Sequence, residues 1–187
     1  MVLESCVDLD ATALAIARAT CLFSAQMCTS PQNVYVPAGG IDTADGHKSF
    51  EEVASALVAA IDNIADNPSV AAGIMGAVQA GPSCDLVRRI EERAAQNPGA
   101  KILRRPAPYP HPDYPDARTM TPLVVALTAG NAALYAEEHF GPVMFVIAAP
   151  DGDAAVAEAT ALARQHGAIS SYLYSTDEAF IDRSLDA

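Results

Sequence analysis

Two uninterrupted apolar runs, residues 123–127 and 143–149, constrain the fold more than any other feature of the sequence. Each has the length of one strand and contains no polar residue, which is typical of strands that are covered on both faces. A third segment, Asn33–Pro37, is rich in β-branched and aromatic residues and is also predicted to be a strand. Segments with helical periodicity separate these strands. We therefore predict an α/β fold, a doubly wound and mainly parallel sheet flanked by helices.

Polar capping residues mark the predicted helix starts. Ser49 is followed three residues later by Glu52, the capping-box pattern, at the start of a helix that runs to about residue 64. Asp8 or Asp10 can cap a helix over residues 11–23. Further helices are predicted to end near residue 95, to run from a cap at Asp153 to residue 166, and to begin after residue 176. Further strands are predicted to cover residues 101–103 and 169–174.

Two segments are predicted to be loops. Residues 39–47 contain three glycines and read as a polar turn. Residues 109–116 contain too many prolines for a helix or a central strand. The two tyrosines of this second segment are compatible with a groove that docks a peptide, but an ordered surface loop packed by its own rings is the favoured interpretation.

The composition is that of a single globular domain with a strong negative charge. Hydrophobic residues make up 51% of the 187 residues, which is enough to bury a sizeable core. Eleven Lys and Arg against 23 Asp and Glu give a net charge of -12. Such a surface repels phosphate backbones and anionic lipid, so neither nucleic acid nor a membrane is an expected partner. The sequence shows no signal peptide and no apolar run of roughly 20 residues.

The cysteines and histidines indicate reduced thiols and no metal site. Four cysteines occur without Cys-x-x-Cys spacing, and the four histidines are scattered along the chain. This pattern favours a cytoplasmic location over a disulfide-bonded or zinc-binding domain. A free cysteine is more often a small buried hydrophobe than a reactive group. That interpretation is retained for Cys6, Cys21 and Cys84.

Cys28 differs from the other cysteines in its surroundings. It lies in the string Ala-Gln-Met-Cys-Thr, residues 25–29, between a predicted helix and the strand Asn33–Pro37. Side chains at such a junction can contact a ligand instead of packing in the core. A second unusual string, Glu-Glu-His-Phe-Gly-Pro, occupies residues 137–142 and precedes the apolar run 143–149.

In this order, the two strings resemble the catalytic domain of the aldehyde dehydrogenase superfamily. The resemblance implies that Cys28 is the catalytic nucleophile, whose thiolate adds to an aldehyde to form a thiohemiacetal. Transfer of a hydride to NAD or NADP then leaves a thioester, which is hydrolysed or passed to coenzyme A. By the same resemblance, Glu138 binds the nicotinamide ribose, Phe140 packs beside the nicotinamide, and Met27 and Thr29 line the aldehyde pocket. The alternative for these four residues is that they are packing residues or solvated surface residues with no role in binding.

The sequence departs from the family pattern in three respects. Ala25 stands where the family has glycine, and an alanine is strained there if the position requires a positive φ. Neither the general-base glutamate nor the dinucleotide-binding domain has a counterpart in the sequence, and the C-terminal tail that pairs subunits has none either. We therefore expect residues 1–187 to be a single catalytic-domain fragment, inactive alone, of an enzyme that forms a homo-oligomer.

The string over residues 26–33 is most similar to the phenylacetate-degradation aldehyde dehydrogenases, which oxidise a semialdehyde. Three alternatives stay open. A coenzyme A-acylating semialdehyde dehydrogenase would use the same cysteine. A truncated domain would have no catalytic role. A cysteine hydrolase would need a histidine against Cys28, and none is near it in the sequence.

Overall fold

Six strands form one sheet in the computed structural model, which describes residues 1–186. The strands of the chain are β1 (Val2–Leu3), β2 (Asn33–Pro37), β3 (Ile41–Thr43), β4 (Gly46–Lys48), β5 (Ala100–Arg104), β6 (Leu123–Thr128), β7 (Val143–Ala149) and β8 (Leu173–Tyr174). The sheet order is β5-β6-β7-β2-β1-β8. Every neighbouring pair is parallel except β5 with β6. The predicted mainly parallel sheet is therefore confirmed.

Helices cover both faces of this sheet, as the doubly wound prediction requires. They are α1 (Leu9–Cys21), α2 (Phe50–Ala65), α3 (Pro68–Ile74), α4 (Gly81–Ala95), α5 (Ala132–Tyr135), α6 (Gly152–His166) and α7 (Glu178–Leu185), with short 3-10 turns at Leu22–Ala25 and Ala129–Asn131. The capping box of α2 is present, because the Ser49 hydroxyl accepts from the Glu52 N–H and Glu52 accepts from the Ser49 N–H. Asp8, not Asp10, caps α1.

Alternation along the strands divides the core between the two faces of the sheet. On one face, α1 and α2 pack against the strands; this cluster includes Leu3, Ile16, Val34, Val36, Leu57, Ile61, Met144 and Val146. On the other face, α4 and α6 pack against the strands; this cluster includes Val2, Tyr35, Val87, Ile90, Leu123, Val125, Phe145, Ile147 and Ala155. Strand β7 is buried along nearly its whole length, which explains its unbroken apolar sequence.

Several local predictions differ from the observed structure. Residues 39–47, predicted to be a polar turn, include most of the hairpin β3–β4, in which His47 contacts the Asp42 carboxylate at 2.9 Å. The predicted strand over residues 169–174 shortens to β8, because the residues before it extend into solvent, and Ile169 is 72% exposed. Asp151 caps α6 instead of Asp153. Helix α3 and strand β1 were not predicted, since both are short.

The proline-rich segment is an ordered loop, as predicted, and one of its two tyrosines attaches it to the rest of the domain. The Tyr109 side chain is buried, and its hydroxyl donates to the Gly76 carbonyl. The backbone of Tyr109 also donates to the Thr119 hydroxyl at 3.0 Å. Tyr114 is 67% exposed and stacks obliquely on His111. Within the loop, the His111 and Tyr114 rings therefore pack on each other, while Tyr109 attaches the loop to the core.

Two tyrosines that meet edge to face in the core differ in how their hydroxyls are satisfied. The Tyr135 hydroxyl lies within hydrogen-bonding distance of two acceptors, the Ala129 carbonyl at 2.8 Å and the Glu158 carboxylate, and its single proton can be donated to either. The Tyr35 hydroxyl is buried and has no hydrogen-bond partner among residues 1–186. Asn33 lies near it, but the amide nitrogen of Asn33 donates to the Tyr135 carbonyl instead. An unpaired buried hydroxyl costs about 1–3 kcal/mol.

We predict opposite effects on stability for the two Tyr-to-Phe substitutions. Tyr35→Phe removes an unpaired hydroxyl, so the free energy of unfolding should stay unchanged or rise by about 1 kcal/mol. Tyr135→Phe removes a hydroxyl that donates to a protein acceptor and should lower it by about 1–2 kcal/mol. Urea unfolding of both variants measures the difference. Equal losses in the two variants would contradict the assignment of partners.

Candidate active site

Cys28 lies in an exposed turn that leads directly into β2. The turn is closed by a hydrogen bond from the Ser30 N–H to the Met27 carbonyl, 3.0 Å long. Cys28 is the exposed member of the four cysteines, while Cys6, Cys21 and Cys84 are buried. The structure therefore places this thiol where a ligand can reach it, as the motif led us to expect.

A left-handed segment precedes the cysteine turn. Phe23, Ser24 and Ala25 have φ values of 51°, 54° and 51°, a conformation that L-residues rarely adopt consecutively. The condition for strain at Ala25 is thus met, and its two neighbours share the conformation. Each such residue costs roughly 1–2 kcal/mol relative to the right-handed region. Strain of this kind persists only where surrounding contacts hold it.

Two polar side chains hold the left-handed segment against residues 75–79. The buried Ser24 hydroxyl donates to the Met75 carbonyl at 3.1 Å. The Gln26 amide nitrogen donates to the carbonyls of Phe23 and Ala77 at 2.8 and 3.2 Å. The Gln26 carbonyl oxygen accepts from the Gln79 N–H at 2.8 Å. Gln26, the glutamine of the cysteine string, thus fixes the start of the turn that carries Cys28.

The second string forms an irregular loop between α5 and β7. Its Glu138 is exposed, and Phe140 is 43% exposed, which is unusual for a large aromatic residue. Gly141 and Pro142 are buried where the loop enters the sheet, and a Cβ on Gly141 would lie 3.2 Å from a Val87 methyl group. Glycine therefore permits the close approach of this loop to α4.

Two adjacent concavities bring most of the predicted site residues together. Cys28 and Glu138 line a cavity of about 540 Å³, which the end of α6 and residues 167–172 also line. Met27, Glu138 and Phe140 line a neighbouring cleft of about 40 Å³. Thr29 lines neither of them.

Sequence reasoning assigned no role to several residues that line the larger cavity. Gln32 and Asn33 were part of the cysteine string, but no spacing rule marked them as functional. His166 and residues 167–172 reach the cavity from a distant part of the chain, so no local pattern could have identified them. The cavity therefore contains a histidine and Cys28, although no hydrogen bond joins them in the described structure.

The described residues indicate neither a metal site nor a membrane span. Within residues 1–186, no three or more His, Cys, Asp or Glu side chains are grouped so that they could hold a metal ion. None of the helices in this range combines the length and apolar character that a membrane-spanning helix needs.

Comparison with known proteins identifies the family. The model of the aldehyde dehydrogenase family matches residues 1–186. The chain belongs to this family. Its fold superposes on the NAD-dependent aldehyde dehydrogenase from Burkholderia multivorans with a TM-score of 0.92 and 37% identity, over 99% of this chain and 32% of that chain.

Two further solved structures show the same fold. An NAD-dependent benzaldehyde dehydrogenase from Corynebacterium glutamicum superposes with a TM-score of 0.65 and 25% identity, over 99% of this chain and 35% of that one. An NADP-dependent glyceraldehyde-3-phosphate dehydrogenase from Bacillus halodurans C-125, complexed with NADP, superposes with a TM-score of 0.57 and 23% identity, over 88% of this chain and 30% of that one. The second similarity supports the fold alone. This chain thus spans about a third of the length of each of these three enzymes.

We predict that a thiol reagent labels one cysteine of the native chain. Burial raises the pKa of Cys21 to about 12, and it also raises the pKa of Cys6 and Cys84. Since the thiolate is the reactive form, these three thiols should resist iodoacetamide at neutral pH. Mass spectrometry should find one label at Cys28, and four labels in denaturant. Cys28→Ser should abolish native labelling; a second labelled residue would contradict the burial assignment.

We also predict that Ala25 tolerates glycine better than an ordinary helical alanine does. Ala25→Gly relieves roughly 1–2 kcal/mol of backbone strain. It also loses a buried methyl group, worth about 0.8 kcal/mol. The free energy of unfolding should therefore stay unchanged or rise by up to about 1 kcal/mol. The control Ala59→Gly, at an exposed position in α2, should lose about 1 kcal/mol. Urea unfolding measures both variants, and equal losses of unfolding free energy in the two would contradict the proposed relief of strain.

Proposed function

We propose that this chain is the catalytic domain of a longer NAD(P)-dependent aldehyde dehydrogenase and that Cys28 is its nucleophile. The observation that carries the proposal is the meeting of Cys28 and Glu138, 110 residues apart, at one cavity. Family membership supports the reaction class, since an aldehyde is the substrate that the family name implies.

Cys28 has the access that covalent catalysis requires. In the proposed reaction, its thiolate attacks the aldehyde carbon and forms a C–S bond, and the carbonyl oxygen becomes an oxyanion. Backbone N–H groups of the turn beside Cys28 would stabilise that oxyanion. Removal of the aldehyde C–H hydrogen with its electron pair leaves a thioester on Cys28. Water or the thiol of coenzyme A then cleaves the C–S bond and releases the acyl group.

Glu138 and Phe140 fit the nicotinamide end of a dinucleotide. The exposed carboxylate of Glu138 can accept from both hydroxyls of a ribose. The exposed ring of Phe140 offers an aromatic face at the cleft that Met27 also lines. When bound, the nicotinamide would supply the two-electron oxidant. Two relatives that are named as NAD-dependent enzymes support NAD, and NADP is assayed beside it in the test below.

Cys28→Ser provides the direct test in the complete polypeptide that contains this chain. We expect aldehyde-dependent reduction of NAD or NADP to fall by at least on the order of 10³-fold, because serine is a far weaker nucleophile at neutral pH. Absorbance at the wavelength of the reduced nicotinamide measures the rate. The control Cys84→Ser changes a buried thiol and should retain activity. Activity that survives without Cys28 would overturn the proposal.

The purified 187-residue chain should not oxidise aldehydes with either dinucleotide. It spans 32% of the Burkholderia multivorans enzyme, and it holds no counterpart of the family's general-base glutamate string. Labelling of Cys28 alone in the same sample, with Cys6, Cys21 and Cys84 protected, would show that the chain is folded. Sustained turnover by this chain alone would contradict its assignment as one part of the enzyme.

The finer assignment is a semialdehyde of phenylacetate degradation as substrate. Its support is the string over residues 26–33, including Gln32 and Asn33. Whether coenzyme A or water releases the acyl group is decided by assaying the complete enzyme with and without coenzyme A. An acyl-coenzyme A product would establish the acylating reaction. We further propose a cytoplasmic homo-oligomer for the complete enzyme.

A further inference from the structure

We propose that Gln32 and Asn33 are positioning residues that hold the Glu138–Phe140 loop at a fixed place relative to Cys28. Their side-chain amides bind the backbone of residues 135–139, and we call these contacts the amide clamp. This inference rests on the function proposed above, in which Glu138 and Phe140 contact the dinucleotide.

The Gln32 side chain makes the central contacts of the amide clamp. Its nitrogen donates to the carbonyls of Tyr135 and Glu137, both at 3.0 Å. Its carbonyl oxygen accepts from the His139 N–H at 2.7 Å. Glu138, the proposed ribose ligand, therefore lies between two residues whose backbones are bound to one side chain.

Asn33 extends the amide clamp and fixes its orientation. Its amide nitrogen donates to the Tyr135 carbonyl at 3.1 Å, and its oxygen lies 3.2 Å from the Gln32 amide nitrogen, whose two hydrogens it shares with the Tyr135 and Glu137 carbonyls. An inverted Gln32 amide would place its oxygen against two carbonyls and its nitrogen against an N–H. Only one orientation is therefore compatible with all of these partners.

The amide clamp is attached to the sheet at its base. The Phe145 N–H donates to the Gln32 carbonyl at 2.8 Å, so the backbone of Gln32 is fixed to β7. Gln32 lies four residues after Cys28 and lines both the larger cavity and the cleft that contains Phe140. The irregular loop has no ladder hydrogen bonds of its own at residues 136–141. The amide clamp takes the place of these ladder hydrogen bonds, and it fixes Glu138 and Phe140 relative to the sheet.

The first test measures the contact itself in the 187-residue chain. Gln32→Met keeps the length of the side chain and removes its hydrogen bonds. Hydrogen exchange followed by NMR should then accelerate at the His139 amide by about tenfold. The amide of Ala155, in α6, should exchange at the wild-type rate. An unchanged rate at His139 would overturn the amide clamp.

The second test measures its consequence in the complete enzyme. Gln32→Met should raise the KM for the dinucleotide about tenfold, because the loop that binds it is no longer held. The KM for the aldehyde and the alkylation rate of Cys28 should stay within about twofold, since Gln26 and Ser24 hold the cysteine turn independently. Asn33→Ala removes one of the donors and should raise the dinucleotide KM about threefold.

Asn97→Ala is the matched control. Its amide oxygen accepts from the Gly99 N–H at 2.9 Å, in the turn before the edge strand β5, and its loss should leave the dinucleotide KM unchanged. If Gln32→Met lowers kcat and raises both KM values together, or leaves the dinucleotide KM unchanged, the positioning role is overturned. If wild-type activity is absent or does not depend on Cys28, the proposed function fails instead, and the two failures are thereby distinguished.

Discussion

The parallel pairing of β2 with β7 is the constraint on which the rest of the site depends. In this pairing Asn33 lies opposite Phe145, and the register continues to Pro37 opposite Ala149. Parallel strands enter the sheet from the same edge, so the segments that precede them must meet there. The segment before β2 carries Cys28, and the segment before β7 carries Glu138 and Phe140. The site is therefore a consequence of strand direction and order.

This arrangement places the site at the amino ends of the strands. In many open α/β sheets, ligands bind outside the carboxyl ends, where helix amino termini point toward them. Here the cavity is lined by residues that precede β2 and by the end of α6, so helix amino termini do not form it. Here side-chain amides bind the backbone of the segments that form the cavity. Gln26 holds the segment before Cys28, and Gln32 holds the loop across the cleft.

The energetic balance explains why an exposed thiol can be held in a strained turn. Three consecutive left-handed residues cost roughly 1–2 kcal/mol each, which a marginally stable domain must offset elsewhere. The hydrogen bonds of Ser24 and Gln26 offset part of this conformational cost locally. The larger part comes from apolar burial in β6 and β7, where almost every side chain is inaccessible to solvent. The buried strands of the sheet thus stabilise the domain enough to tolerate the strained segment before Cys28.

Apolar runs and capping residues were sufficient to predict β2 and β7 with their observed bounds, the start of α2, and a mainly parallel sheet covered on both faces. These features depend on local pattern, since a strand without polar residues must be covered twice. The sequence strings also indicated Cys28, Glu138 and Phe140. The role of Gln32 and the approach of residues 167–172 depended on tertiary structure, because they arise between segments far apart in the chain. No local pattern records strand order, and strand order alone brought Cys28 and Glu138 to one cavity.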